Sequence, residues 1–438
     1  MKHPQSKKLS SSRSETLCGI ISVPGDKSIS HRSLIMGALS VGESTIAGLL
    51  EGEDVLGTAN ALKALGADIY KDDNNIWHVW GVGIGGLRQP QAPLNMGNSG
   101  TGVRLLMGLV ATHPITVTFT GDKSLSSRPM KRVTDPLQQF GAKFTACENG
   151  TLPITVHGTK MPLAITYDLP VASAQVKSAV MLAALNTPGR TTVIEKIPTR
   201  DHSERIFGYF GVPIQLQTNQ IHVIGQAELS AKNMTVPADP SSAAFLIVAA
   251  LITEGSDITI KNVGINPART GLFTTLIEMG AHIKFDNIRD QCGEDVADIR
   301  VKYSALTGVI VPKGRAPSMI DEYPILCVAA ACATGQTVMR NIEELRVKES
   351  DRIDVMVKGL KACGVEVHEH KDGMSVKQST VKGGATINTH LDHRIAMSFL
   401  ILGLRAEKPI IIDDATVIET SFPGFGMLLN SLGASICP

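Results

Sequence analysis

Two kinds of hydrophobic stretch alternate along the chain. The first is apolar nearly all round, as in SHRSLIMGALSVGESTI, SAQVKSAVMLAALNTPGRTTVI, SSAAFLIVAALITEGSDITI and YPILCVAAACATGQTVM, where an apolar run meets a turn and then strand-favouring residues. A helix apolar on every side is a buried one. The second kind, seen in LKALGA and FTTLIEMGA, places apolar residues at helical spacing and keeps a polar face. It ends each time in one phrase: ALGADI (Ala64–Ile69), FGAKF (Phe140–Phe144), FGVPI (Phe210–Ile214), MGAHI (Met279–Ile283), CGVEV (Cys363–Val367) and LGASI (Leu432–Ile436). The glycine suits the position after a helix, where positive φ costs little, and the following residues suit a strand. Copies return at roughly 70–85 residues, a period that reads as a repeat.

The pattern predicts an α/β protein of six helix–strand–helix–strand units with further short strands between. At 438 residues the chain exceeds what a single core supports, so two domains of about 200 residues are expected. Three units then fall in each domain, with buried helices inside and sheets outside. The break is expected near AKNMTVPADP (Ala231–Pro240).

Composition narrows the function classes. Apolar residues make up 43% and charged residues 19%, as in a soluble globular protein. The formal net charge is only +1, so no nucleic-acid surface is expected, and any anion affinity must come from locally clustered cations. The seven cysteines, Cys18, Cys147, Cys292, Cys327, Cys332, Cys363 and Cys437, are scattered and form no CxxC pair. They predict reduced thiols in the cytoplasm rather than a disulfide frame or a zinc site. Apolar runs such as AAFLIVAALI (Ala243–Ile252) are too short to span a bilayer, so no membrane partner is expected. The start, MKHPQSKKLSSSRSE, has no hydrophobic segment and is expected to be a short disordered tail.

Charges collect where helices begin. The buried helices open with GDKSISHR, NSGTGVR, ASAQVK, DPSSAA, DEYP and LDHR, and the amphipathic ones with SRPMKR, TRDHSER, NPART and VKESDR. A helix start offers free N–H groups and the positive end of the macrodipole. Lys27, Arg32, Arg128, Arg200, Lys348, Arg352 and Arg394 add to that field. Recurrence at equivalent places predicts a site for small phosphorylated and carboxylated molecules. GNSGTG (Gly97–Gly102) fits such a site, being neither GxGxxG nor GxxxxGK[ST]. A nucleotide triphosphate site is disfavoured by the absent P-loop lysine.

These motifs carry a resemblance. From PGDKSISHR (Pro24–Arg32) through GNSGTGVRL, RPMKRV, PVASAQVKSA, TRDHSER, DEYPILCVAAA, ELRVKESDR and THLDHRIAMSF to SFPGF (Ser421–Phe425), the chain resembles the 5-enolpyruvylshikimate-3-phosphate (EPSP) synthase family, in its divergent bacterial class. The resemblance implies a two-domain enolpyruvyl transferase-like fold of six βαβαββ-like units, with the active site in the interdomain cleft. It implies domains 22–235 and 1–21 plus 236–438, because in this family the N-terminal strand joins the C-terminal domain. It implies a monomer that moves the enolpyruvyl group of phosphoenolpyruvate onto the 5-hydroxyl of 3-phosphoshikimate and releases phosphate, with no cofactor and no metal.

The implied roles follow the matching motifs. Lys27 touches both substrates; Ser28, Arg32, Ser173, Ala174, Gln175, Arg200, Asp321 and Lys348 hold 3-phosphoshikimate. Gly100, Arg128, Gln175, Arg352 and Arg394 hold phosphoenolpyruvate. Asp321 is the implied base for the attacking hydroxyl and Glu349 the implied acid at the methylene carbon. The cysteine expected in the loop GDKSLSSRPM (Gly121–Met130) of the related UDP-N-acetylglucosamine enolpyruvyl transferases is absent. Many family members also carry a lysine just before the TFP-like segment, where this chain has Thr420 and Ser421. Glyphosate-tolerant relatives place NAAT where this chain has NSGT, so Gly100 is expected to leave it more sensitive to that inhibitor.

Overall fold

A computed structural model describes residues 7–438. The chain divides into two units, each of which has its own hydrophobic core. The first unit comprises Gly25–Val236 together with Gln291–Glu294; the second holds the described residues up to Pro24, Pro237–Asp290 and Asp295–Pro438.

The first unit carries helices α1 (Lys27–Leu39), α2 (Glu53–Ala64), α3 (Gly100–Ala111), α4 (Lys123–Ser126), α5 (Lys131–Gln139), α6 (Ala174–Leu185) and α7 (His202–Phe210). The second carries α8 (Pro240–Ile252), α9 (Gly271–Glu278), α10 (Tyr323–Cys332), α11 (Arg352–Ala362), α12 (His393–Gly403) and α13 (Phe425–Ser431). The all-round apolar segments are the buried helices: α1, α3 and α6 in one unit, α8, α10 and α12 in the other. α3 packs against α6, and α8, α10 and α12 pack on one another. The amphipathic segments α2, α5, α7, α9 and α11 each keep an exposed face. All six repeat glycines take the predicted left-handed conformation: φ is 112° at Gly66, 104° at Gly141, 82° at Gly211, 96° at Gly280, 82° at Gly364 and 109° at Gly433. A side chain there would strain the turn from helix to strand.

Each repeat builds one small sheet, and the strand order recurs. In the second sheet, Leu94–Asn95 runs parallel to Thr116–Thr120, which pairs antiparallel with Ile154–His157, itself paired with Lys143–Ala146. The third sheet has the same order from Thr166–Asp168 to Ile214–Gln217. The first sheet takes its parallel strand, Asn233–Thr235, from the far end of the unit. In the second unit, Cys18–Ile21 fills that place beside Asp257–Gly264.

The chain start departs from the disordered tail expected of it. Residues 1–6 lie outside the described residues, but Leu9–Ser12 pairs antiparallel with both Ile410–Ile412 and Ser435–Cys437. The strand is mostly serine, so its apolar pattern is silent; its backbone groups complete the last sheet. Gly403 admits it, since a Cβ there would overlap the buried Ser11 side chain.

Candidate active site

In the first unit the starts of α1, α3, α6 and α7 are tied together by side chains. Asp26 caps α1 by accepting from the Ile29 N–H at 2.9 Å, and Lys27 directs Nζ to Asp54 Oδ2, also at 2.9 Å. Arg32, one turn into α1, donates from Nη1 to the Ser28 carbonyl at 2.9 Å. Its Nη2 donates to Ser178 of α6 at 2.7 Å and its Nε to Ser203 of α7 at 2.8 Å. Burial lowers the Arg32 pKa to about 10, with Glu204 opposing, so the guanidinium remains cationic at neutral pH. Arg32 therefore sits behind the helix starts with its geometry already fixed.

The α3 and α6 starts meet through Gln175. Gln175 Oε1 accepts from Arg104 Nη1 at 2.8 Å, and its Nε2 donates to Thr101 Oγ1 at 3.0 Å. Ser173 is the N-cap of α6 and accepts from the Val176 N–H; Ala174 is the first helical residue. Ser99 caps α3 in the same way through the Gly102 N–H, while the Gly100 N–H turns to the Asn98 carbonyl. Two N–H groups of GNSGTG thus serve its own turn, and cationic side chains gather over it instead. A Cβ on Gly100 would stand 2.9 Å from Arg104 Nη1 and 3.1 Å from Arg128 Nη1. Arg128 is half-buried and donates to Asn98 Oδ1 at 2.6 Å and Ser124 Oγ at 3.1 Å. Arg200, also half-buried, lies two residues before the first residue of α7.

In the second unit Arg352 is the hub. It is the first residue of α11 and only 1% exposed. Its Nε meets Asp392 Oδ2 at 2.8 Å, Nη2 meets Glu349 Oε2 at 2.6 Å, and Nη1 meets Asp321 Oδ1 at 3.3 Å. One guanidinium therefore gathers both carboxylates expected to move protons, and Asp392 anchors it from the start of α12. Against the desolvation of the site, Arg352 and then His393 hold Glu349 far below the ordinary carboxylate range. Arg352 likewise holds the fully buried Asp392 low against its desolvation. Glu349 is thus an ionised, arginine-paired carboxylate here.

Asp321 lies in a single 3-10 turn, Ile320–Glu322, ahead of α10. Glu322, not Asp321, occupies the N-cap position of that helix, and no side chain caps it. Arg394 donates from Nη1 to the Asp321 carbonyl and to Glu322 Oε1, each at 3.2 Å. Lys348 reaches back to Glu344 Oε1 at 2.5 Å rather than to its neighbour Glu349. Near the C-terminus, residues 416–425 include no lysine or arginine, and the Thr420 hydroxyl donates to the Val417 carbonyl.

Several partners of these residues escaped the sequence reading. Arg104 orients Gln175, Asp54 holds Lys27, and Glu322 holds Arg394 while accepting from Ser241. Arg269 in turn donates to both Ser241 and Asp239. Arg104 was visible as the charge closing NSGTGVR inside a buried helix, an expensive place for an unpaired cation. Glu322 had no such signal, because DEYP reads as an ordinary helix start.

The model of the family described as EPSP synthase (3-phosphoshikimate 1-carboxyvinyltransferase) matches residues 12–429. A 3-phosphoshikimate 1-carboxyvinyltransferase of Paramagnetospirillum magneticum is 58% identical over 437 residues, covering 98% of each chain. One of Parvibaculum lavamentivorans is 57% identical over 434 residues, covering 98% of this chain and 96% of its own. Among solved structures, an EPSP synthase from Acinetobacter baumannii superposes with a TM-score of 0.90 at 44% identity, over 98% of this chain and 99% of its own. The enolpyruvyl transferase NikO from Streptomyces tendae shares the fold, at 17% identity and a TM-score of 0.79 over 99% of both chains. By its repeats, by its sequence along almost all its length and by its fold, the chain belongs to the EPSP synthase family, the 3-phosphoshikimate 1-carboxyvinyltransferases.

Proposed function

We propose a division of labour among these residues for the family's reaction. The enzyme transfers the enolpyruvyl group of phosphoenolpyruvate to the 5-hydroxyl of 3-phosphoshikimate and releases phosphate. Each substrate carries a phosphate of about −1.5 to −2 and a carboxylate, so the site must supply several cations. In the first unit, Ser28, Ser173, Ala174, Gln175 and Arg200 hold 3-phosphoshikimate, joined by Lys348 and Asp321 of the second. Arg32 contributes its charge from behind while its hydrogen bonds fix Ser28 and Ser178. Arg128, Arg352 and Arg394 hold phosphoenolpyruvate, with Gly100 and Gln175 beside it; planar guanidinium forks suit its carboxylate and phosphate. Lys27 stabilises the charge that develops on addition.

The observation that carries the reading is Arg352 held between Asp321 and Glu349. Asp321 takes the proton of the 5-hydroxyl as its oxygen attacks C2 of phosphoenolpyruvate. Glu349, once protonated, gives its proton to the methylene carbon, and the product is a tetrahedral ketal phosphate. The Glu349 carboxylate takes a proton back from the new methyl group as the double bond re-forms, and phosphate leaves with the proton held on Asp321. Glu349 suits the methylene step because its protonation is tied to Arg352. When the substrate carboxylate engages Arg352, Glu349 loses part of the cation that holds its pKa down, and its proton affinity rises.

The reading takes the enzyme to be a cytoplasmic monomer. The exposed free thiols Cys18, Cys147 and Cys437 suit a reducing compartment, and sedimentation of the purified chain checks the monomer. Mixing the protein with both substrates should release phosphate only when 3-phosphoshikimate is present. Asp321→Ala should lose turnover by at least about 100-fold yet still bind 3-phosphoshikimate. Full turnover in that variant removes Asp321 from the mechanism.

A further inference from the structure

Arg200 ends a loop that the first unit pins from behind. Lys177 on α6 is fully buried, and its Nζ lies 3.1 Å from Glu195 Oε2 and 2.7 Å from Glu204 Oε1. Glu195 turns its other oxygen, Oε1, to the loop, accepting from the Thr199 N–H at 2.9 Å and the Thr199 hydroxyl at 2.5 Å. Lys177 Nζ also approaches the Thr199 carbonyl at 3.5 Å. Thr199 is therefore held by its N–H, its hydroxyl and its carbonyl at once. On the other side of Arg200, His202 Nδ1 is 2.6 Å from Glu294 Oε1.

This arrangement is costly unless it has a use. Burying one ammonium with two carboxylates forfeits a large hydration energy, and packed apolar side chains of similar volume are often no less stable. What such a network does provide is a fixed geometry. The segment Glu195–Arg200 lies between the strand Arg190–Ile194 and α7, and a loop of this kind must otherwise be ordered when a ligand binds. α6 also opens with Ser173 and Ala174 and carries Ser178, which holds Arg32. One helix thus presents its start to the substrate and fastens the Arg200 loop through Lys177.

We propose that Lys177 and Glu195 are positioning residues that hold Thr199 so that Arg200 is already in place for the phosphorylated substrate, 3-phosphoshikimate. The proposal rests on the assignment of Arg200 to that substrate, and the test separates the two. Thr199→Val, Thr199→Ser, Glu195→Gln and Arg200→Ala are compared, together with the first and third combined with Arg200→Ala. The readouts are the dissociation constant of 3-phosphoshikimate, both KM values and kcat.

Thr199→Val and Glu195→Gln should each weaken 3-phosphoshikimate binding about three- to tenfold, the effect of losing one to two hydrogen bonds. Thr199→Ser, which keeps the hydroxyl, should restore it. KM for phosphoenolpyruvate and kcat should change by less than about twofold, because only one ligand's binding is touched. In the Arg200→Ala background neither change should weaken binding further. If both add their full effect to Arg200→Ala, or if both KM values and kcat fall away together, the positioning role is overturned while Arg200 keeps its assignment. If Arg200→Ala itself leaves 3-phosphoshikimate affinity unchanged, the assignment of Arg200 falls instead.

Discussion

Among single residues, Arg352 has the most to lose. Three carboxylates converge on it, and Asp392, wholly buried, has its charge balanced there. Removing one partner of a buried pair leaves an uncompensated charge, which costs about 3–5 kcal/mol. Arg352→Met should therefore lower the denaturation midpoint as well as abolish turnover, whereas Glu349→Gln should affect turnover far more than stability, since Glu349 is the more exposed partner. The pH dependence has a definite sign. Asp392 and Glu349 have folded-state pKa values below their unfolded ones. Their stabilisation is full above the ordinary carboxylate range, about pH 4, and is lost only as pH falls through the depressed folded values. Acid unfolding of the native protein should thus begin below about pH 4, and in Arg352→Met at a higher pH. A variant with an unchanged acid limb would show that the hub does not govern acid stability. Gly100 offers a second residue-scale test. A methyl there meets only the ends of Arg104 and Arg128, flexible groups that can shift. Gly100→Ala should fold normally yet move two guanidiniums, raising the glyphosate inhibition constant and, less steeply, KM for phosphoenolpyruvate. An unchanged inhibition constant would remove the steric argument.

At the scale of elements, the candidate site residues fall at or near the first turns of helices, so caps have a double importance. Asp26 is 1% exposed and ties off the Ile29 N–H one residue before Lys27. Asp26→Ala should cost about 1 kcal/mol in chemical denaturation, and Asp26→Asn, which keeps an acceptor, should restore most of it. Equal losses in both variants would mean that its charge, not its cap, is what matters. These elements differ in how far the sequence announces them. Buried helices and the glycines that end their amphipathic partners are local patterns, and α1, α3 and Gly66 stand where those patterns put them. The helix-start positions of the candidate site residues were legible for the same reason, since Lys27, Gln175 and Arg352 open helices whose apolar bodies are plain. Strand exchange was not legible. Asn233–Thr235 completes a sheet built by residues 41–82, and Leu9–Ser12 one near the opposite end of the chain. Pairing through backbone groups leaves no mark on a short polar strand. Asp54 and Glu322 stayed hidden because each meets its candidate site residue only through tertiary packing, as Lys177 meets Glu195 and Thr199, whereas Arg104 left one trace, its charge inside a buried helix.

At the scale of the whole molecule, the chain has two hydrophobic cores, and nature has marked them with different probes. Both tryptophans, Trp77 and Trp80, lie in the first unit, Trp77 buried in its core. The buried thiols Cys327 and Cys363 lie in the core of the second. Burial pushes the Cys363 thiol up to about 12 and Cys327 higher still, so neither forms thiolate in the folded state at neutral pH. Since thiolate is the reactive form, these two should resist a thiol reagent while Cys18, Cys147 and Cys437, all exposed, react at once. Loss of protection at Cys327 and Cys363 then reports unfolding of the second core, and tryptophan fluorescence reports the first. Separate cores permit separate transitions, so all-or-none behaviour is not to be assumed for the chain. The two probes should give distinct midpoints in urea without substrate. A ligand that binds only folded protein adds stability by mass action, so 3-phosphoshikimate, most of whose assigned ligands are in the first unit, should move the fluorescence midpoint more than the thiol midpoint. Coincident midpoints, shifted equally by the ligand, would show instead that the two cores unfold as one.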